Sequence, residues 1–325
     1  MPSETIKLTA KFKLKETPEG LDGIFQTYRE IVNFLITYAF KNNVTSFYRL
    51  RKETYKGLRR EYPELPSHYI YTACQMATAI FKSFRKRKKG KAKGKPVFKK
   101  EVIMLDATLF KLDLKNKTIK LSTPNGRIQL ELYPAKYHEK FEDWKVGQAW
   151  LVRTPKGVFL NVVFSREVEV EEPKAFVGVD LNENNVTLSL PNGEFVQIIT
   201  HEREIRTGYF VKRRKIQKKL KAGKRKRELL EKYCEREKNR LNDIYHKLAN
   251  KIVELAEKYG GLALEDLTEI RESIRYSAEM NGRLHRWSFR KLQSIIEYKA
   301  KLRGIRVVFV NPAHTSSLCP VCGGN

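Results

Sequence analysis

Residues 5–15, TIKLTAKFKLK, alternate apolar and basic side chains, and a period of two predicts a strand with one wet, positive face. The period then lengthens. Ile24, Tyr28, Ile31, Leu35 and Tyr38 recur at spacings of three and four, as on one face of a helix over 21–41. Two more helices are expected near 46–60 and 67–86, separated by the proline-containing EYPELPS, so this block reads as a small helical bundle. Strand patterning returns over 107–170. LFKLDLKNKTIKLS alternates on either side of a polar turn, GRIQLELYP alternates again, and TPKG separates two apolar runs. Four or five short strands with tight turns predict a small antiparallel barrel or sandwich, joined by the N-terminal strand, with the helical block as an insertion.

After EEPK at 171–174 the order changes. AFVGVDLN is an apolar run ending on Asp180, followed by NVTLSL, the turn PNGE and FVQIIT, which gives three strands with a hairpin between the last two. Residues 201–258 are long, charged and helical, with Gly223 as a break. GLALEDL is a strand, SFRKLQSIIEYKAKLRG a helix closed by Gly304, and IRVVFVNP a strand. Phe289, Leu292, Ile296 and Lys299 fall at helical spacing, so that helix should pack on the sheet, with Trp287 in the core.

Charge narrows the function. The 325 residues carry 65 Lys and Arg against 37 Asp and Glu, a formal net charge of +28, while 41% of residues are hydrophobic. The chain can therefore build cores, and its excess positive charge should attract a polyanion, with nucleic acid ahead of an anionic membrane. No apolar run is long enough to span a bilayer and the N-terminus has no signal-peptide pattern, which points to a cytoplasmic, nucleoid-associated protein without a membrane partner. Four cysteines do not make a disulfide framework, and Cys74 and Cys234 are expected as buried or half-buried thiols. Two basic runs, 82–100 and 212–227, cannot bury themselves and suit phosphate contact. Their candidate contacts are Arg85, Lys86, Arg87, Lys88 and Lys89, then Lys212, Arg213, Arg214 and Lys215, and Lys224, Arg225, Lys226 and Arg227.

Two acids stand out because each ends an apolar run: Asp180 after FVGV and Glu265 after LAL. A carboxylate on a central strand is costly unless it binds a cation. The two lie 85 positions apart and could meet on neighbouring strands, where they would hold Mg²⁺ or Mn²⁺ and serve phosphodiester hydrolysis. Strand-end acids also cap turns or pair with lysines, and Asp266 is an alternative to Glu265 as the inward residue.

These segments resemble a known family. VGVDLNENNVTLSLPNG is similar to the first acidic motif of RuvC-like nuclease domains, which have the RNase H fold, and LALEDL to the second. NGRLHRWSFRKLQSIIEYKAKLRGIRVVFVNPAHTSSLCPVCG resembles the C-terminal tail of the TnpB (OrfB) proteins of insertion sequences, through Trp287, Phe289, Tyr298, Lys299, Thr315, Ser316, Cys319, Cys322 and Gly323. The resemblance implies an α+β multidomain chain. Residues 1–15 and 101–172 would form a wedge-like antiparallel β-barrel, 16–100 an inserted helical recognition domain, 173–313 an RNase H/RuvC-like α/β nuclease domain, and 314–325 the start of a zinc ribbon. It also implies a transposon-encoded, RNA-guided DNA endonuclease related to the type V CRISPR effectors, with a guide RNA from the transposon end and double-stranded target DNA as partners. Asp180 and Glu265 would be its catalytic metal ligands, and Cys319 and Cys322 half of a Zn²⁺ site. The family pattern has a second cysteine pair and a third acid beyond Cys322. The sequence stops at Asn325, so cleavage and zinc occupancy by this chain are expected to be weak while nucleic-acid binding persists. The competing expectations are a non-catalytic RNA- or DNA-binding remnant or regulator, and a ribosome- or tRNA-associated basic protein.

Overall fold

The computed structural model describes residues 3–88, 94–267 and 277–311. The chain divides into two compact units, Lys7–Arg166 and, with the N-terminal Met1–Ile6, Glu167–Asn325.

The first unit combines a seven-stranded antiparallel sheet, curled into a nearly closed barrel, with three helices. The strands are β1 (Ser3–Leu14), β2 (Val102–Leu105), β3 (Phe110–Asp113), β4 (Thr118–Thr123), β5 (Gly126–Tyr133), β6 (Lys145–Thr154) and β7 (Gly157–Glu169), in the spatial order β2-β6-β7-β1-β5-β4-β3. The N-terminal strand does join this sheet, pairing Lys13 with Tyr133 and Leu14 with Leu132. Five strands, β3 to β7, occupy the stretch 107–170 where four or five were expected, and β2 lies just before it, where a ladder of only four residues shows no clear alternation. Helices α1 (Leu21–Lys41), α2 (Phe47–Glu61) and α3 (Ser67–Lys88) sit close to their predicted bounds. The three-and-four spacing of α1 is its core stripe: Ile24, Tyr28, Ile31 and Leu35 are all buried. Hydroxyl contacts tie helix to sheet. Tyr69 donates to the Ser122 carbonyl at 2.7 Å, and Met104 N donates to the Tyr28 oxygen at 3.4 Å.

The second unit is built on a five-stranded sheet of order β10-β9-β8-β11-β12. β8 (Ala175–Leu181), β9 (Asn185–Ser189) and β10 (Phe195–Ile199) form an antiparallel meander, and β11 (Gly260–Glu265) and β12 (Arg306–Val310) add in parallel beyond β8. Between β10 and β11 the charged stretch splits at Gly223 into α4 (Glu202–Lys219) and α5 (Lys224–Glu257). The helix α6 (Ala278–Arg286), not foreseen from the sequence, precedes α7 (Phe289–Leu302). Gly304 closes α7 as expected. At φ +70° it lets Ile305 N reach the Ala300 carbonyl and Gly304 N the Lys301 carbonyl, both at 3.0 Å.

One sheet face is dry. Val177, Val179, Leu181, Val186, Leu188, Leu262 and Leu264 pack with the apolar stripes of α5 and α7, and Trp287 is 8% exposed at the edge of the same core. Lys299 does not extend the α7 stripe. It reaches α5, donating to the His246 carbonyl at 3.0 Å and to Asn250 Oδ1.

The β8–β11 seam leaves no room at Gly261. A Cβ there would lie 2.7 Å from the Ala175 carbonyl oxygen and 2.7 Å from Phe176 Cδ1. Gly261→Ala is expected to destabilise the second unit by ~1–3 kcal/mol, because backbone on one side cannot yield. A urea midpoint equal to that of the parent would refute this crowding.

Candidate nuclease site

Asp180 and Glu265 come together through strand register. β8 and β11 run parallel with Leu264 opposite Val179, and both of these side chains face the core. The next positions on each strand are Asp180 and Glu265, and the alternation of strand side chains turns both to the opposite face. Two central strands thus end with carboxylates side by side. Glu265, which alternates with Ala263, is the acid so directed; Asp266 lies beyond the strand and is exposed, with its N–H on the Val310 carbonyl at 2.7 Å.

The electrostatics agree with that placement. The Glu265 carboxyl is pushed above the usual range, first by burial and then by the negative charge of Asp180. Among the described residues neither acid is ion-paired. Asp180 Oδ2 accepts only the Asn182 side-chain amide, at 2.7 Å. Two adjacent carboxylates with no ion-pair partner among the described residues, in a chain of net charge +28, form a hard-oxygen donor set that fits Mg²⁺ or Mn²⁺.

Sequence reasoning missed the supports around this pair. The Asn182 amide holds one Asp180 oxygen while its own N–H bonds the Asn185 carbonyl at 2.9 Å. Gln293 of α7, 1% exposed, donates its amide to the Glu265 carbonyl at 2.7 Å and so fixes the end of β11. Arg283 of α6 anchors the loop after β8 through Glu183 at 2.5 Å. Only Asn182 had a local signal, an amide two residues beyond an acid at a strand end; the other partners are 28 and 100 positions distant.

The basic candidates divide. Arg85, Lys86 and Arg87 are exposed on the last turn of α3, and Lys88 ends that helix. Lys212, Arg214, Lys215, Lys224, Arg225 and Arg227 are exposed around the α4–α5 junction. Two require correction. Arg213 turns inward to an ion pair with Glu237, and the Lys226 ammonium donates to the Gln217 and Leu220 carbonyls at 2.8 and 2.9 Å, capping the end of α4. Lys89, Cys319 and Cys322 lie outside the described residues. Among the described residues no group of three or more His, Cys, Asp or Glu is placed to hold a metal ion. Cys74 is buried, with burial pushing its thiol up to about 11, whereas Cys234, expected as buried or half-buried, is exposed, because it shares the α5 stripe of Glu237 and Leu241 but opens into a cleft. No helix among the described residues is long and apolar enough to cross a membrane.

Three family models match the chain in succession. They are the Uncharacterized protein MJ0013 family over 24–122, the OrfB_IS605 probable transposase over 159–271, and the Cas12f1-like TNB domain over 289–325. A TnpB-like protein of Methanocaldococcus jannaschii, MJ0751, is 36% identical over 214 residues, covering 62% of this chain and 77% of the relative. A second from the same organism, MJ1635, is 25% identical over 348 aligned residues, covering 97% and 80%. The CRISPR-associated endodeoxyribonuclease Cas12f1 of Syntrophomonas palmitatica is 40% identical over 103 residues, covering 30% of this chain and 20% of that one. The likeness to TnpB-like proteins thus runs through both units, includes the strands that bring Asp180 and Glu265 together, and extends over most of a relative's length: the chain belongs to the TnpB (OrfB) family.

Proposed function

We propose that this chain is an RNA-guided, metal-dependent DNA endonuclease of a transposable element, with its chemistry at Asp180 and Glu265. The observation that carries the reading is the carboxylate pair at the ends of two parallel central strands, without a basic partner among the described residues. The strand order, with a three-stranded meander extended by two parallel strands, suits a RuvC-like domain of RNase H fold. Over part of its length the chain is also similar to CRISPR-associated endodeoxyribonucleases, which supports DNA as the target.

A divalent ion bound by the pair would activate the attacking water and stabilise the leaving oxygen. The residues of the chain do the rest. Asp180 and Glu265 present oxygen ligands, Asn182 and Gln293 hold them in place, and the exposed cations of α3 and of the α4–α5 junction hold phosphates. By the same family likeness, Cys319 and Cys322 would supply two of the four ligands of a zinc ribbon, and the guide RNA would come from the transposon end.

A second reading, a nucleic-acid-binding protein that does not cut, is favoured by one observation: among the described residues no third metal-ligating side chain joins the pair. One experiment separates the two. RNA that co-purifies with the chain is sequenced, and a duplex matching it is incubated with the complex in Mg²⁺. Transposon-end RNA with cutting of the matched duplex supports the nuclease, and the same RNA without cutting supports the binder. Ribosomal RNA alone would overturn both.

The raised Glu265 carboxyl makes a further prediction. Its folded-state pKa lies above its unfolded value, so the fold loses stability as pH rises through the folded pKa, and the ionised acid weighs against folding above it. Without metal, Glu265→Gln is therefore expected to raise the urea midpoint at neutral pH and to leave it unchanged at pH below the unfolded carboxylate range. A lower midpoint at neutral pH would mean that Glu265 is not electrostatically strained.

A further inference from the structure

Helices α4 and α5 and the start of α7 enclose a cleft of about 310 Å³ within the second unit. Its floor is a buried charge network. Glu202, 2% exposed, accepts Arg206 Nε at 2.5 Å and the Tyr245 hydroxyl at 2.6 Å, while Glu237 takes Arg206 at 3.7 Å and also Arg213. Both carboxylates are thus occupied by arginines. The rim carries Lys238 and Lys291, beside the Asn242 amide. Lys291 donates to Asn242 Oδ1, a neutral acceptor, and among the described residues neither ammonium is paired with a carboxylate. The cleft and its floor therefore hold four cations against two acids.

We propose that this cleft is a phosphate-binding site, with the anion seated between Lys238 and Lys291 over the Arg206–Glu237 floor and supplied by a nucleic-acid backbone or by free phosphate. The floor is fixed by its own ion pairs, so binding needs little rearrangement. The rim behaves as a cation cluster lacking its counterion. The Lys291 ammonium is held below its usual pKa by burial and then by Lys238 and Arg206, a repulsion that a bound anion would relieve. Neither lysine falls within the basic runs seen in the sequence; of those runs only Arg213 lines the cleft, held to Glu237. The nucleic-acid source rests on the nucleic-acid partner proposed above; the free-phosphate source does not.

Cys234 is exposed and lines the cleft, which provides a reporter, and the buried Cys74 is its internal control. Alkylation of Cys234 by iodoacetamide, followed by peptide mass spectrometry, should be slowed saturably by inorganic phosphate at constant ionic strength and by a short single-stranded oligonucleotide. The double variant Lys238→Ala/Lys291→Ala should lose both protections. It should also flatten the dependence of log oligonucleotide affinity on log salt by about 0.7, the release expected for one phosphate contact. Lys218→Ala/Lys219→Ala, which removes the same charge from the exposed end of α4, should keep the protections. Protection by phosphate alone keeps the site and assigns it to free phosphate, in which case only its link to nucleic acid fails. Absence of protection by either probe, or equal losses in the two double variants, overturns the proposal.

Discussion

On the nuclease reading, Asp180→Ala or Glu265→Ala will each lower metal-dependent cutting of a matched duplex by on the order of 10³-fold or more, the scale of the several kcal/mol that a bound divalent ion supplies to a phosphoryl transition state. The expectation rests on register: one residue past the Leu264–Val179 pair, the two strands present one carboxylate each to the same side. On the nuclease reading, each substitution removes one of the two carboxylates that would hold the ion and leaves a single acid in its place. The binding of guide RNA should change little, because the exposed lysines and arginines lie elsewhere. A second readout does not depend on catalysis. At a concentration of Mn²⁺ about a hundredfold above its dissociation constant, the parent chain should gain about 2.7 kcal/mol of stability and either variant far less. A variant that cuts at the parent rate would remove its acid from the site.

Glu202→Ala should destabilise the second unit by ~3–5 kcal/mol, measured by urea unfolding. Glu202 is 2% exposed and accepts both Arg206 and the Tyr245 hydroxyl. Burial weighs against the Arg206 charge, yet Glu202 and Tyr245 outweigh it and leave the guanidinium above its usual pKa. Truncating the carboxylate leaves that largely buried cation with the neutral Tyr245 hydroxyl at 3.0 Å and Glu237 at 3.7 Å as its partners. Tyr245→Phe should cost less, ~1–2 kcal/mol, since a neutral hydroxyl that donates to Glu202 and accepts from Arg206 is lost while the ion pair survives. If Glu202→Ala were as mild as Tyr245→Phe, the network would be no more than an exposed helical pair in its energetics.

The two cases differ in how far the sequence disclosed them. Asp180 and Glu265 were legible because each interrupts an apolar strand, where a charge needs an explanation. The alternation in β1 and the helical stripes of α1 and α7 were legible for a similar reason, since burial imposes a period that survives in the residue order. The Glu202 network was not. Glu202 and Arg206 look like any solvated pair four positions apart on a charged helix, and nothing local marks Tyr245 or Glu237 as their partners from α5. Arg213 was misread for the same reason. It stands in a run of cations, and only the tertiary fold turns it from solvent to Glu237. Gln293 shows the same limit at the site itself, where an amide on one helix fixes a carbonyl 28 positions earlier.

The parallel pairing of β8 with β11 also sets a timetable. The partners of the acid pair are separated by 85 positions of chain, and the first unit is already complete in sequence at Arg166. At a synthesis rate of ~5–20 residues per second, Glu265 follows Asp180 from the ribosome by roughly 4–17 s. Throughout that interval the nascent protein carries a finished N-terminal unit and only one acid of the proposed pair. On the nuclease reading, the growing chain can gather RNA from its surroundings before it is able to harm any strand, so capture precedes cleavage by order of translation, without an inhibitor.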